Sequence, residues 1–95
     1  MKVTTPASAG TMESGDIYVE IEQTEQEGIT VELDSTVGSQ FGTQIIQVIQ
    51  RTLTECGIAR AQVKAVDKGA LDCTIQARVT AAAYRAAGRD DYQWR

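Results

Sequence analysis

Histidine is absent from this 95-residue chain. Its absence removes the commonest general base and the commonest metal ligand. Cysteine occurs only as Cys56 and Cys73, and two distant thiols without histidine make no zinc pattern. In a reducing compartment both are expected as small apolar packing residues rather than a disulfide. No apolar run approaches the ~20 residues that span a bilayer. The start, Met1 to Pro6, carries Lys2 and lacks the apolar stretch of a signal peptide. The cytoplasm is therefore the expected compartment, with no membrane partner. Independent catalysis is not expected.

What remains is enough for one fold. A chain of this length buries roughly 60–65% of its unfolded surface, which supports one core but not a core plus a deep cleft. An apolar fraction of 42% is ordinary for a globular domain and excludes a fibrous or wholly disordered chain. The net charge of −4 is unevenly spread. Eight carboxylates lie within residues 1–34 against Lys2 alone, whereas seven Arg or Lys lie within residues 60–95 against four carboxylates. The acidic half argues against nucleic acid as a partner. It suits docking onto basic protein surfaces, where charge sets encounter rate and selectivity.

Periodicity predicts the elements. Residues 1–15, with Pro6, Gly10 and Gly15 among Ser, Thr and Ala, read as a flexible arm. From Asp16, inward Ile17, Val19 and Ile21 alternate with Tyr18, Glu20 and Glu22, a half-buried strand. After a polar connection, Ile29, Val31 and Leu33 repeat the pattern, so the two strands are expected to form a hairpin. Asp34, Ser35 and Thr36 are capping residues. Phe41, Ile45, Val48, Ile49, Thr52, Leu53 and Cys56 then mark one stripe of an amphipathic helix, stopped by Gly57. Val63 and Ala65, the turn Asp67-Lys68-Gly69, and the alternation Leu71, Cys73, Ile75, Ala77, Val79 predict a second hairpin. The competing reading is one helix from Gly69 to Ala87, because Ala and Arg dominate its later part. The expected class is α+β: an antiparallel sheet of two hairpins, one long amphipathic helix and a short C-terminal helix, ββαββα. The single domain would span residues 16–88. Residues 89–95 form a charged tail, in which Tyr92 and Trp94 are candidate docking side chains.

The candidates for chemistry are few. Asp67 and Asp72 flank a turn and are more readily turn-capping groups than an acid–base pair. Cys56 lies on the apolar stripe without an activating base. Gly38 and Gly42 flank no nucleotide-binding spacing. Two serines remain as sites of covalent modification. Ser14, between Glu13 and Gly15, sits where a modifying enzyme can capture it. Ser35 follows Asp34 near a helix start, like the Asp-Ser pair that carries phosphopantetheine in fatty-acid-type carriers, and its plainer role is a helix cap.

Several blocks, in order and covering nearly the whole chain, carry a family resemblance. They are Ala9-Gly10-Thr11-Met12-Glu13-Ser14-Gly15-Asp16, Glu32-Leu33-Asp34-Ser35 with Gln40-Phe41-Gly42, Asp67-Lys68-Gly69-Ala70-Leu71-Asp72-Cys73, Ala77-Arg78-Val79, and Ala81-Ala82-Ala83-Tyr84-Arg85-Ala86-Ala87. Together they resemble the acyl carrier (gamma) subunits of citrate lyase. The resemblance implies a non-catalytic carrier with 2′-(5″-phosphoribosyl)-3′-dephospho-CoA joined to Ser14 by a phosphodiester, holding acetyl or citryl groups as thioesters. It implies as partners the citrate lyase alpha subunit, which exchanges acetyl for citrate, and the beta subunit, which releases oxaloacetate. A prosthetic-group transferase is the third. The carriers of malonate decarboxylase and citramalate lyase are the nearest alternatives, and a purely structural acidic binding module is the alternative from another class.

Overall fold

The computed structural model describes residues 1–35 and 41–88. Thr36 and Gln40, and the expected tail with Tyr92 and Trp94, lie outside the described residues. Six elements follow in the order β1 (Ala7–Gly10), β2 (Ile17–Glu22), β3 (Gly28–Ser35), α1 (Gly42–Glu55), β4 (Arg60–Asp67) and α2 (Asp72–Ala86). The sheet order is β1-β2-β4-β3. β1 pairs antiparallel with β2, β2 antiparallel with β4, and β3 parallel with β4. The fold is α+β, as expected. The sheet, however, is mixed rather than antiparallel.

The expected first hairpin is opened by an inserted strand. β2 and β3 both form and run in opposite directions, but β4 lies between them. Residues 23–27 cross the start of β4, and five residues reach ~16 Å, ample for two ~4.8 Å strand spacings. The Arg60 guanidinium meets the Glu27 carboxylate at 3.0 Å beneath that crossing. Alternation alone cannot tell a neighbour from a next neighbour. β3, α1 and β4 form a parallel crossover, which requires an intervening element of the kind α1 provides.

The expected second hairpin does not form. Residues 72–86 are helix α2, with Ile75, Val79, Ala82, Ala83 and Ala86 buried. Ile75 and Val79 are four apart, a spacing that a strand face and a helix face share, so the alternation was ambiguous there. Cys73 and Leu71, on the expected inward strand face, are exposed. The helices are also near equal in length, 14 residues in α1 and 15 in α2, not one long and one short.

α1 buries Ile45, Val48, Ile49, Thr52 and Leu53 as its spacing predicts. Gly57 has φ +81°; its N–H donates to Thr54 O and that of Ile58 to Leu53 O, closing the helix in a Schellman motif. Phe41 departs from the stripe and is 46% exposed. Both helices lie on one sheet face, α2 against β1 and β2 and α1 against β3. Ile17, Val19, Ile21, Ala61, Val63 and Ala65 meet them there, all buried. The small alanines of α2 let that helix approach the sheet closely.

The opposite face is open. The register sets Lys64 between Glu20 and Glu32, and the Tyr18 hydroxyl donates to Glu20 Oε1 at 3.0 Å. Much of the acidic half of the chain lines this face.

Candidate functional site

The arm expected over residues 1–15 is structured for most of its length. Val3 and Ala9 are in the core, and the backbone N–H groups of Thr4 and Thr5 both donate to Ala86 O at the end of α2. Ala7 to Gly10 is a sheet strand. What stays exposed is Thr11 to Gly15, the connection between β1 and β2. Ser14 sits in it.

The connection ends in a tight turn. The Asp16 N–H donates to Glu13 O at 3.0 Å, so Ser14 and Gly15 are the two central residues. Gly15 has φ +85°, the conformation a type II turn needs at its third position. A side chain built there would meet nothing within 4 Å, so the space around the Ser14 peptide is open. The turn is fastened to the end of β4. Gly15 N–H donates to Lys68 O at 2.7 Å, and Lys68 N–H donates to Asp16 O at 2.9 Å.

The Asp16 carboxylate organises the loop from below. It accepts two bonds from the Arg78 guanidinium, Nε to Oδ1 at 3.0 Å and Nη2 to Oδ2 at 2.8 Å. The Thr11 hydroxyl donates to Oδ2 at 2.7 Å and the Ile17 N–H to Oδ1, also at 2.7 Å. Thr11 Oγ1 in turn accepts from Glu13 N–H. A bidentate arginine fixes a carboxylate in angle as well as position. The Arg78 hydrogen bonds hold the Asp16 carboxyl at about 2, from an ordinary value of 3.8, against the opposing effect of burial. Ser14 is therefore displayed on a braced turn, not on a loose arm.

A test follows from the sign of that shift. Because the folded carboxyl lies below its unfolded value, the stabilisation is complete above pH ~4 and lost as the pH falls through about 2. Asp16 is 13% exposed and Arg78 41%, so solvent screening reduces the contribution to about 1–2 kcal/mol. Asp16→Asn also disturbs the Thr11 and Ile17 bonds and is expected to cost about 2–3 kcal/mol at pH 7. The gap between the two proteins in urea denaturation should narrow from pH 4 to pH 2. A gap independent of pH would contradict the ion-pair account.

Ser35 is placed differently. It closes β3 instead of capping a helix, and its hydroxyl donates to Asp67 Oδ2 at 3.1 Å. Asp67, 1% exposed, also accepts from the Ala70 N–H, holding the turn into α2, while Asp72 is exposed in the first turn of that helix. Asp67 holds the turn, as its position suggested. Cys56 is half-buried and burial pushes its thiol up, so it stays protonated at neutral pH. Among the described residues no group of three His, Cys, Asp or Glu is placed to hold a metal ion. No helix among them is long and apolar enough to cross a membrane.

Sequence reasoning missed Asp16 and Arg78 as a unit. Asp16 stood before a strand and Arg78 on the polar side of a false alternation, and although each falls in a block of the family resemblance, nothing linked the two. Their contact joins residues 62 positions apart and has no local signature.

A small α+β domain that presents an exposed serine on a braced turn has the character of a carrier domain. The acyl carrier family model described as malonate decarboxylase delta subunit matches residues 4–86. Citrate lyase acyl carrier proteins of Streptococcus pyogenes serotype M5 (strain Manfredo) and serotype M4 (strain MGAS10750) are each 48% identical over 95 residues. The match covers 100% of this chain and 93% of each relative. The chain belongs to the citrate lyase acyl carrier protein family.

Proposed function

We propose that this chain carries acyl groups for a cytoplasmic citrate lyase, and that Ser14 is the residue to which its prosthetic group is attached. The observation that carries the assignment is the exposed serine at the centre of a tight turn braced by Asp16 and Arg78. The open space beside Gly15 suits a bulky phosphodiester on the Ser14 hydroxyl. We assign the group as 2′-(5″-phosphoribosyl)-3′-dephospho-CoA. When bound, it supplies the thiol on which acetyl or citryl groups are held.

The residues of this chain tether and present. The Ser14 hydroxyl is the attachment point, Gly15 supplies the turn, and the Asp16–Arg78 pair resists displacement when a partner pulls on the arm. Tethering raises the concentration of the thioester at each partner's active site without repeated capture from solution. The hard chemistry belongs to the arm and to the partners, which we assign as the alpha and beta subunits and a prosthetic-group transferase.

The family description also favours a second reading, the carrier of malonate decarboxylase. Reconstitution separates them. The modified chain should restore citrate cleavage to carrier-free citrate lyase alpha and beta subunits. Restoration of malonate decarboxylation alone, in the matching assay, would move the chain to the second reading.

A further inference from the structure

We infer that the pole of the molecule bearing Ser14 is the docking surface for the enzyme that modifies it, with Met12, Phe41 and Leu71 as apolar anchors. This rests on the carrier reading above. The connection 11–16, the ends of β3 and β4 and the starts of both helices all lie at this pole, because Ile17 and Ser35 both pair with Asp67. The described large apolar side chains that stand exposed are Met12 (54%), Phe41 (46%) and Leu71 (71%). All three are at this pole. A cleft of about 180 Å³ separates Phe41 from Gly69, Ala70 and Asp72, and the neighbouring Lys68 is bonded to the Ser14 turn.

One of the three occupies a position where stability favours something else. Phe41 already has helical backbone at the start of α1, whereas Leu71 is the N-cap of α2, with extended backbone, and makes no capping hydrogen bond. Ser, Thr, Asp and Asn are strongly preferred there, and large apolar residues are poor caps. A fold that sets an exposed leucine at the cap of α2, beside the Ser14 turn, forgoes stability for recognition.

The partner's chemistry follows from the surroundings. Exposed Glu13, Asp34 and Asp72 lie among the apolar side chains, so the complementary surface pairs shallow apolar pockets with Lys or Arg. A group transferase must bring reacting atoms within ~3.5 Å of the Ser14 hydroxyl and so must cover the turn and its surroundings. A subunit acting at the far end of a long arm has no such need. The occupant is therefore the transferase.

The test is steady-state transfer kinetics with the prosthetic-group transferase of a citrate lyase operon and its nucleotide-thiol precursor, varying the concentration of this chain. Met12→Ser, Phe41→Ser and Leu71→Ser should each raise KM about tenfold, one anchor contact's worth, with kcat within about twofold. Gln26→Ala, at the opposite pole, should leave both unchanged. Leu71→Ser has a second signature. Serine can cap α2, so this variant should melt at or above the temperature of the parent while docking worse. Parent-like KM in all three variants, or a fall in kcat alone, would overturn the inference. A parent chain that the transferase leaves unmodified would instead overturn the carrier reading beneath it.

Discussion

Ser14→Ala is expected to yield a folded protein that accepts no prosthetic group and supports no citrate cleavage in a reconstituted complex. The side chain is exposed, and alanine tolerates the second position of a type II turn, so stability should change by no more than about 0.5 kcal/mol. The functional loss should nevertheless be complete, because a tethered mechanism has no slower parallel route once the tether is gone. Far-ultraviolet circular dichroism and thermal melting establish the first half, and citrate cleavage by the mixed subunits the second. Retained activity would place the attachment elsewhere, and Ser35→Ala is the paired variant to examine. The Ser35 hydroxyl bonds to buried Asp67, so removing it is expected to cost about 1 kcal/mol and leave attachment intact.

Gly10→Ala is expected to have the largest effect on the fold. Gly10 ends β1 opposite Tyr18 and has φ +95°. A methyl group there would lie 1.8 Å from the Ile17 carbonyl oxygen and 2.9 Å from its carbonyl carbon. Neither atom can move aside as a side chain would, since Ile17 starts the strand that pairs with β4 and its side chain is fully buried. The backbone strain and the overlap together should cost about 3 kcal/mol or more, lowering the melting temperature by more than about 12 °C. Attachment at Ser14 should weaken too, because the Thr11 hydroxyl that braces Asp16 follows Gly10 directly. A Gly10→Ala protein with parental melting behaviour would show that the β1–β2 approach is looser than the structure records.

The contrast between Gly10 and Ser14 shows how much the chain disclosed in advance. Ser14 is proposed because it lies within a recognisable block, and helix α1 was legible because its stripe and its glycine stop are local. The strands β2 and β3 were legible as strands, since period two with β-branched residues is local as well. Their partners were not. Placing β4 between them depends on the crossover through α1, which alternation does not encode. Helix α2 was open to misreading because Ile75 and Val79 satisfy both periods, and only the burial of Ala82, Ala83 and Ala86 behind them shows which one the fold uses.

The site divided in the same way. The sequence offered Ser14 as the proposed attachment point, and the bracing that turns an expected loose arm into a fixed turn was not legible. Asp16 and Arg78 meet only once α2 is a helix packed against β2. The cost of leucine at the cap of α2 was likewise hidden until that helix start was known.

The most direct test of the central claim is intact mass and peptide mapping of the chain co-expressed with the modifying enzymes of a citrate lyase operon. The account predicts one adduct with the mass of phosphoribosyl-dephospho-CoA, on the peptide containing Ser14 and absent from Ser14→Ala. An adduct on Ser35, or none under conditions that modify a Streptococcus pyogenes relative, would contradict it.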